Sequence, residues 1–501
     1  MNPPSESVLD VAIIGAGFSG LGLAIRLRQL GRHRFRVFER EPAVGGTWWV
    51  NRYPGCACDV PSRLYSYSFA PNPGWSRRFA PAAEIQRYLA DCVERFEIRP
   101  QLELECEIRQ AAWDDSRKIW TLEATDGRRW QARVLVAALG GLSRPLLPDI
   151  PGIRDFQGQV FHSQAWPDDF QAEGRQIAVI GTGATAVQLV PRLATSAARL
   201  DVYQRTPNWI LPRPDRAIGP GWRRLYHRLP WLGRLARGLL WSAAEIRVPA
   251  LVWNQRLAWF HRRLALKHLK RQVHDPEIRQ RLTPDYAMGC KRVLLSSDYY
   301  PAFNRPHVEL VTDPIDRIES DAIVDSRGRS RTIDTLVLAT GFRATAPVPK
   351  GLIKGRDGRD LATSWRGGPE AYKGTTVHGF PNLFTLVGPN TAIGHNSLIY
   401  IIESQIDYVL DALKVLDRQG ASSVEVRAQA QADYNRWLEL RLAGSVWNSG
   451  GCRSWYLHPE TGRNSSIWPG FLYGFRRQTR RFDLQSYQLV EDECPPSRQG
   501  E

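Results

Sequence analysis

Residues 8–14, VLDVAII, are apolar and rich in β-branched side chains, the pattern of a strand buried on both faces of a parallel sheet. The run stops at Gly15, and GLGLAIRLRQL (20–30) takes up helix-like apolar spacing before RFRVFER (34–40) predicts a second strand. The same order of strand, glycine turn, helix and strand recurs between IAVI (177–180) and LDVYQRT (200–206). RVLVAALGGLSRP (133–145) predicts a strand and turn, PLLPDIPG (145–152) a Pro-rich linker, and IDTLVLATGF (333–342) a strand that brings the chain back to the first unit. This alternation predicts an α/β protein with two Rossmann-like dinucleotide-binding domains. One domain is discontinuous, over 1–150 and 335–501, and the other, 151–334, is inserted into it.

The inserted part carries a helical excursion over about 221–282, where stretches such as LGRLARGLLW combine helical apolar spacing with many Arg and Trp. A packed helical subdomain explains that pattern more simply than contact with a membrane, although a basic amphipathic face bearing tryptophans also suits a membrane surface.

Both glycine turns have the spacing that cradles a pyrophosphate at a helix N-terminus. In the first, Gly15, Ala16, Gly17, Phe18, Ser19 and Gly20 follow the strand directly. Gly15 makes the tight turn, Gly17 lets backbone approach the ligand, and Gly20 lets the helix pack on the strand. Glu39 ends the next strand nineteen residues beyond Gly20, the offset of an acid that binds a ribose 2′-OH. The second turn, Gly181, Thr182, Gly183, Ala184, Thr185 and Ala186, is the Ala-ended variant. At the same offset it carries Arg205 in place of an acid, followed by Thr206. A guanidinium suits the 2′-phosphate of NADP, so the first site is expected to hold FAD and the second NADPH.

The chain has 501 residues, of which 43% are hydrophobic and 24% charged, the composition of a globular protein large enough for two or three domains. Its net charge of +16 is scattered and comes with no nucleic-acid-binding motif, so no nucleic-acid partner is expected. Seven cysteines are dispersed without zinc-ligand spacing, so neither metal nor disulfide is expected. There is no basic N-terminal region followed by an apolar run, nor an apolar stretch of about 18 residues, which points to a cytoplasmic protein.

FAD with NADPH is compatible with disulfide reductases, ferredoxin reductases and oxygenases. Between the two units, FQGQVFHSQAWP (156–167) matches the pattern FxGxxxHxxxWP through Phe156, Gly158, His162, Trp166 and Pro167. A second long pattern, GGxWxxxxYPGxxxD, is met by Gly45, Gly46, Trp48, Tyr53, Pro54, Gly55 and Asp59. Through these, and through QRTPNW (204–209), GCKR (289–292), ATGF (339–342) and SWY (454–456), nearly the whole chain resembles the type I Baeyer–Villiger monooxygenases.

The resemblance implies that Gly46, Thr47, Trp48, Asp59 and Tyr65 lie against the flavin, and that Lys291 joins Arg205 and Thr206 on NADPH. It also implies that Arg292 is the active-site arginine and Asp59 the carboxylate that orients it. His162 is expected to be a structural hinge, and Trp455 an aromatic residue on a mobile C-terminal segment that closes over the cofactor. The chemistry implied is reduction of flavin by NADPH, uptake of O2, and attack of a C4a-peroxide on a small-molecule ketone to give an ester or lactone. A fixed guanidinium suits the negative charge on the peroxide and on the tetrahedral adduct. The alternatives are a flavin monooxygenase acting on nitrogen or sulfur, a dithiol–disulfide reductase, for which no paired cysteine site is evident, and a non-catalytic FAD-binding sensor.

Overall fold

The computed structural model describes residues 8–491. Two parallel sheets organise them. In the first, Leu9–Ile14 lies between Phe35–Phe38 and Arg129–Ala137, parallel to both, with Val11 opposite Phe35 and Val134. Leu102–Glu103 extends the sheet beyond Phe35–Phe38. On the other side, Leu383–Thr385 pairs in parallel with the end of Arg129–Ala137, the antiparallel strands Ile119–Ala124 and Ile108–Asp114 follow, and the short strand Ile353–Lys354 pairs in parallel with the last of them at the edge. The first connection from Leu9–Ile14 goes to one side and the later strands fill the other. That reversal leaves a crevice at the strand's carboxyl end, where α/β sheets bind ligands.

The second sheet is wholly parallel, in the order Val308–Val311, Arg199–Tyr203, Gln176–Ile180, Thr335–Leu338, Gln159–His162. Here too the order reverses beside the strand that leads into a glycine turn, Gln176–Ile180. The outgoing and returning linkers run side by side: Leu146 N donates to Gly341 O at 2.9 Å, and Arg343 N donates to Arg144 O at 2.9 Å. His162 sits against this crossing. Its Nδ1 accepts from Gln164 N at 3.1 Å, so Nε2 carries the proton and donates to Gly341 O at 3.1 Å. Burial lowers the pKa of the ring and keeps it neutral.

Helix Leu398–Gln419 packs against helix Phe18–Gln29, with Ile406 lying over Gly22, and its Ile402, Ile406 and Val409 share one core with Leu21 and Ile25. It starts at Ser397, whose Oγ accepts from Ile399 N, and ends at Gly420 in the left-handed conformation that stops a helix cleanly. The excursion forms helices Pro220–Arg228, Pro230–Glu245, Val248–Val252, Trp259–Gln272 and Pro276–Arg281. Among the described residues no helix is long and apolar enough to cross a membrane.

The expectation of no disulfide is overturned: Cys290 and Cys452 are bonded, with Cα atoms 6.1 Å apart. Their separation of 162 residues hides from local spacing that the loop of GCKR and the C-terminal segment converge. Cys56, Cys58, Cys92 and Cys106 are free.

Candidate active site

At the end of Leu9–Ile14 the backbone turns at Gly15 with φ +108°, and a Cβ there would lie 2.5 Å from Ala138 O. A Cβ at Gly20 would come within 1.9 Å of Gly15 O, so the helix rests directly on the turn. Gly17 faces open space bounded by the Cα of Gly46, which gives a phosphate group access to bare backbone on two sides. Helix Phe18–Gln29 has no side-chain cap, which leaves its first N–H groups for an anion, and the Ser19 side chain is buried within its first turn.

Glu39 is buried beside this turn, where Oε2 accepts from Ala16 N at 2.7 Å and Oε1 from Glu41 N at 3.1 Å. Burial raises its pKa against the pull of those N–H donors. Next to the turn, the ring of Phe18 meets Tyr65 edge-on at 5.1 Å, and Trp48 Nε1 donates to Tyr65 OH at 3.2 Å. Thr47 and Trp48 open a single helical turn, Thr47–Val50, directly after Gly46. These donors, the bare backbone and the aromatic wall fit the pyrophosphate, ribose and ring system of FAD.

The second turn repeats the first, with Gly181 at φ +112°. Thr182 Oγ1 donates to Thr206 O at 3.2 Å, and Asn208 Nδ2 donates to Thr182 O at 2.7 Å, so the turn is tied to the loop that carries Arg205. Thr185 and Ala186 start the helix Ala184–Leu193 after Gly183. Tyr286 OH donates to Pro207 O at 2.9 Å and brings the segment before GCKR against the same loop. Lys291 Nζ lies 5.1 Å from the centre of the Tyr286 ring. Burial lowers the pKa of Lys291, and the nearby Arg205 charge lowers it further. Neither cation makes a salt bridge among the described residues. Two neighbouring cations, neither paired in a salt bridge although the Asp285 charge is felt at Lys291, suit a dianionic 2′-phosphate.

Asp59 and Arg292 meet between the two turns. Arg292 Nε donates to Asp59 Oδ2 and Nη2 to Asp59 Oδ1, both at 2.8 Å, a planar two-pronged contact. Burial opposes the charge of Asp59, but the guanidinium overrides it and holds the carboxyl below its usual pKa. Asp59 in turn raises the pKa of Arg292. Arg213 donates to Cys58 O at 3.1 Å and adds positive charge to the same corner.

Two residues that the sequence did not single out belong to this corner. Gln188, on helix Ala184–Leu193, accepts from Tyr53 OH at 2.9 Å and donates to Ala57 O at 2.8 Å, which clamps the loop leading to Asp59. Tyr456 is buried, and its pKa, pushed up to about 12 by burial, also registers the Arg292 charge. Its neighbour Trp455 is about half exposed, its ring 4.3 Å from that of Tyr456. The disulfide joins this segment to the residue two before Arg292.

A model of the pyridine nucleotide-disulphide oxidoreductases matches residues 9–223. A Baeyer–Villiger monooxygenase of Pseudomonas aeruginosa is 51% identical over 97% of this chain and 93% of its own. The chain belongs to the Baeyer–Villiger monooxygenases. A second member, from Streptomyces coelicolor, is 45% identical over 96% of this chain and 92% of its own. A solved steroid monooxygenase bound to NADP superposes with a TM-score of 0.85 at 30% identity, covering 97% of this chain and all of the other. As a Baeyer–Villiger monooxygenase, the protein is a flavoenzyme that uses FAD and NADPH to insert one oxygen atom of O2 beside a ketone carbonyl.

Proposed function

We propose that Arg292 meets the negative charge that develops during ketone oxygenation, and that Asp59 fixes its position. FAD, reduced by NADPH, supplies the activated oxygen when bound. The observation that carries the assignment is the two-pronged contact of Asp59 with Arg292 between the two dinucleotide turns. As oxygen adds to the carbonyl carbon, charge grows on the carbonyl oxygen. A guanidinium already held in place stabilises that charge without reorganising. Because Asp59 strengthens its hold on its proton, Arg292 acts by charge and hydrogen bonding and not as a proton source.

The turn from Gly15 to Gly20, with Phe18 and Ser19, takes the FAD pyrophosphate, and Glu39 takes the ribose. Gly46, Thr47, Trp48, Asp59 and Tyr65 face the flavin side. The turn from Gly181 to Ala186 takes NADPH, with Arg205, Thr206 and Lys291 on its 2′-phosphate. Tyr456, with Trp455 outside it, narrows the access of water to the half-buried Arg292, so that more of the reducing equivalents end in product. His162 supports the linker crossing. The other partners are a small ketone and O2.

The test is mass-spectrometric product analysis with NADPH and a panel of linear, cyclic, aryl and steroidal ketones. Esters or lactones heavier than the ketone by one oxygen are expected. Hydrogen peroxide as the sole product across the panel, or oxygen transferred only to amines and sulfides, would count against the reading.

A further inference from the structure

The excursion turns apolar side chains outward. Along helix Pro230–Glu245, Trp231, Leu235 and Leu239 recur every four residues on one face and are 57%, 53% and 64% exposed, and Ile246 beyond them is 76% exposed. A helix on a water-facing surface has the reverse arrangement, with its polar stripe outward. Buried contacts on the inner face fix its rotation. Arg237 donates to Arg63 O at 2.8 Å and to Ser66 O at 2.9 Å. Glu245 Oε1 accepts from Asn396 Nδ2 at 2.8 Å and pairs with His395, and its Oε2 accepts from Leu472 N at 2.8 Å. The Arg63 guanidinium also lies 3.3 Å from the centre of the Tyr226 ring, which holds helix Pro220–Arg228 alongside. The helix cannot roll its leucines inward without breaking these contacts.

Charge and aromatic content agree on what the face meets. Residues 221–274 hold twelve Arg and Lys and one acid, Glu245, which is buried. Trp222, Trp253, Trp259 and Phe260 are exposed as well. Tryptophans at an outward surface among arginines, with apolar aliphatic side chains and no exposed acid, match the boundary between lipid headgroups and acyl chains. A second copy of the chain would bring one arginine-rich face against another.

We propose that the outward face of the helices spanning 220–264 docks the enzyme on an anionic lipid bilayer. Trp231, Leu235, Leu239 and Ile246 enter the acyl boundary, and the exposed Arg224 and Arg234 lie among the headgroups. With no helix among the described residues able to span, the attachment proposed is peripheral and sensitive to salt.

The test is co-sedimentation of the full FAD-loaded chain with vesicles of one part phosphatidylglycerol to three parts phosphatidylcholine, and with phosphatidylcholine alone, at low and high salt. Binding to the anionic vesicles at low salt is expected, weaker at high salt and on the neutral vesicles. Arg234→Gln should weaken it about fivefold, the effect of one surface charge. Leu235→Glu with Leu239→Glu should weaken it by ~20-fold or more, with bound FAD and NADPH oxidation retained. Quenching of wild-type tryptophan fluorescence by lipids brominated near the headgroup is expected too, and needs no variant. Absence of anionic-vesicle binding, absence of quenching, or unchanged binding by the double variant overturns the proposal. So does a wild-type dimer that ignores vesicles and is split by the double variant, which would assign the face to a second copy.

Discussion

Asp59→Ala removes both acceptors of Arg292 and leaves the guanidinium in place but unheld. A hydrogen bond involving a charged group contributes ~1.5–3 kcal/mol. Here there are two, and the Arg292 side chain is 31% exposed, so water recovers part of the loss. A net positioning loss of ~2–3 kcal/mol follows, which corresponds to ~30- to 150-fold in ester formation. The assay follows ester, oxygen uptake and hydrogen peroxide with a converted ketone. NADPH oxidation should persist while its yield shifts from ester to peroxide. The folded-state pKa of Asp59 lies below its unfolded value near 3.8. Its contribution to stability is therefore complete above that value and fades only as pH falls through the folded pKa. The defect of Asp59→Ala should accordingly be constant between about pH 6 and 9. An Asp59→Ala enzyme within threefold of wild type, with the same ratio of ester to peroxide, would refute the reasoning.

Arg205→Ala should raise the KM for NADPH by ~10- to 100-fold, the value of one charge-assisted contact to phosphate, and leave the KM for NADH nearly unchanged; steady-state kinetics with both cofactors checks this. Burial and Arg205 lower the pKa of Lys291, so the KM for NADPH should climb as pH rises towards that depressed value, and Lys291→Met should abolish the slope. Cys452→Ser opens a loop of 162 residues, worth up to ~5 kcal/mol in a chain-entropy model. It should lower the thermal midpoint by several degrees under non-reducing conditions, and a reductant should lower wild type in the same way without affecting the variant; equal midpoints would show that the bridge adds nothing.

What was legible in the sequence is what the chain encodes locally. Each glycine turn follows its strand at once, and Glu39 and Arg205 stand at one fixed offset, so strand, turn and helix could be placed without tertiary knowledge. Contacts between distant segments could not. Gln188 is an ordinary helical glutamine until helix Ala184–Leu193 lies against the loop before Asp59. Cys290 and Cys452 carry no spacing signal across 162 residues. SWY drew attention to Trp455, yet Tyr456 is the buried member, since which of two adjacent aromatic side chains faces inward is set by the tertiary path of the segment and not by residue type. The excursion shows a further limit. Apolar periodicity predicts that a helix has two faces, but not which one the protein covers, and here buried Glu245 and Arg237 decide it.

Arg292→Ala tests the central claim most directly, with stopped-flow absorbance during NADPH oxidation and product analysis on the same preparation. The variant should purify yellow, accept electrons from NADPH and lose ester formation by ~10²–10³-fold, the usual cost of one preorganised oxyanion donor. Arg292→Lys should recover little of it, since an ammonium lacks the planar fork that meets Asp59. Ester formation by Arg292→Ala at near the wild-type rate would contradict the account.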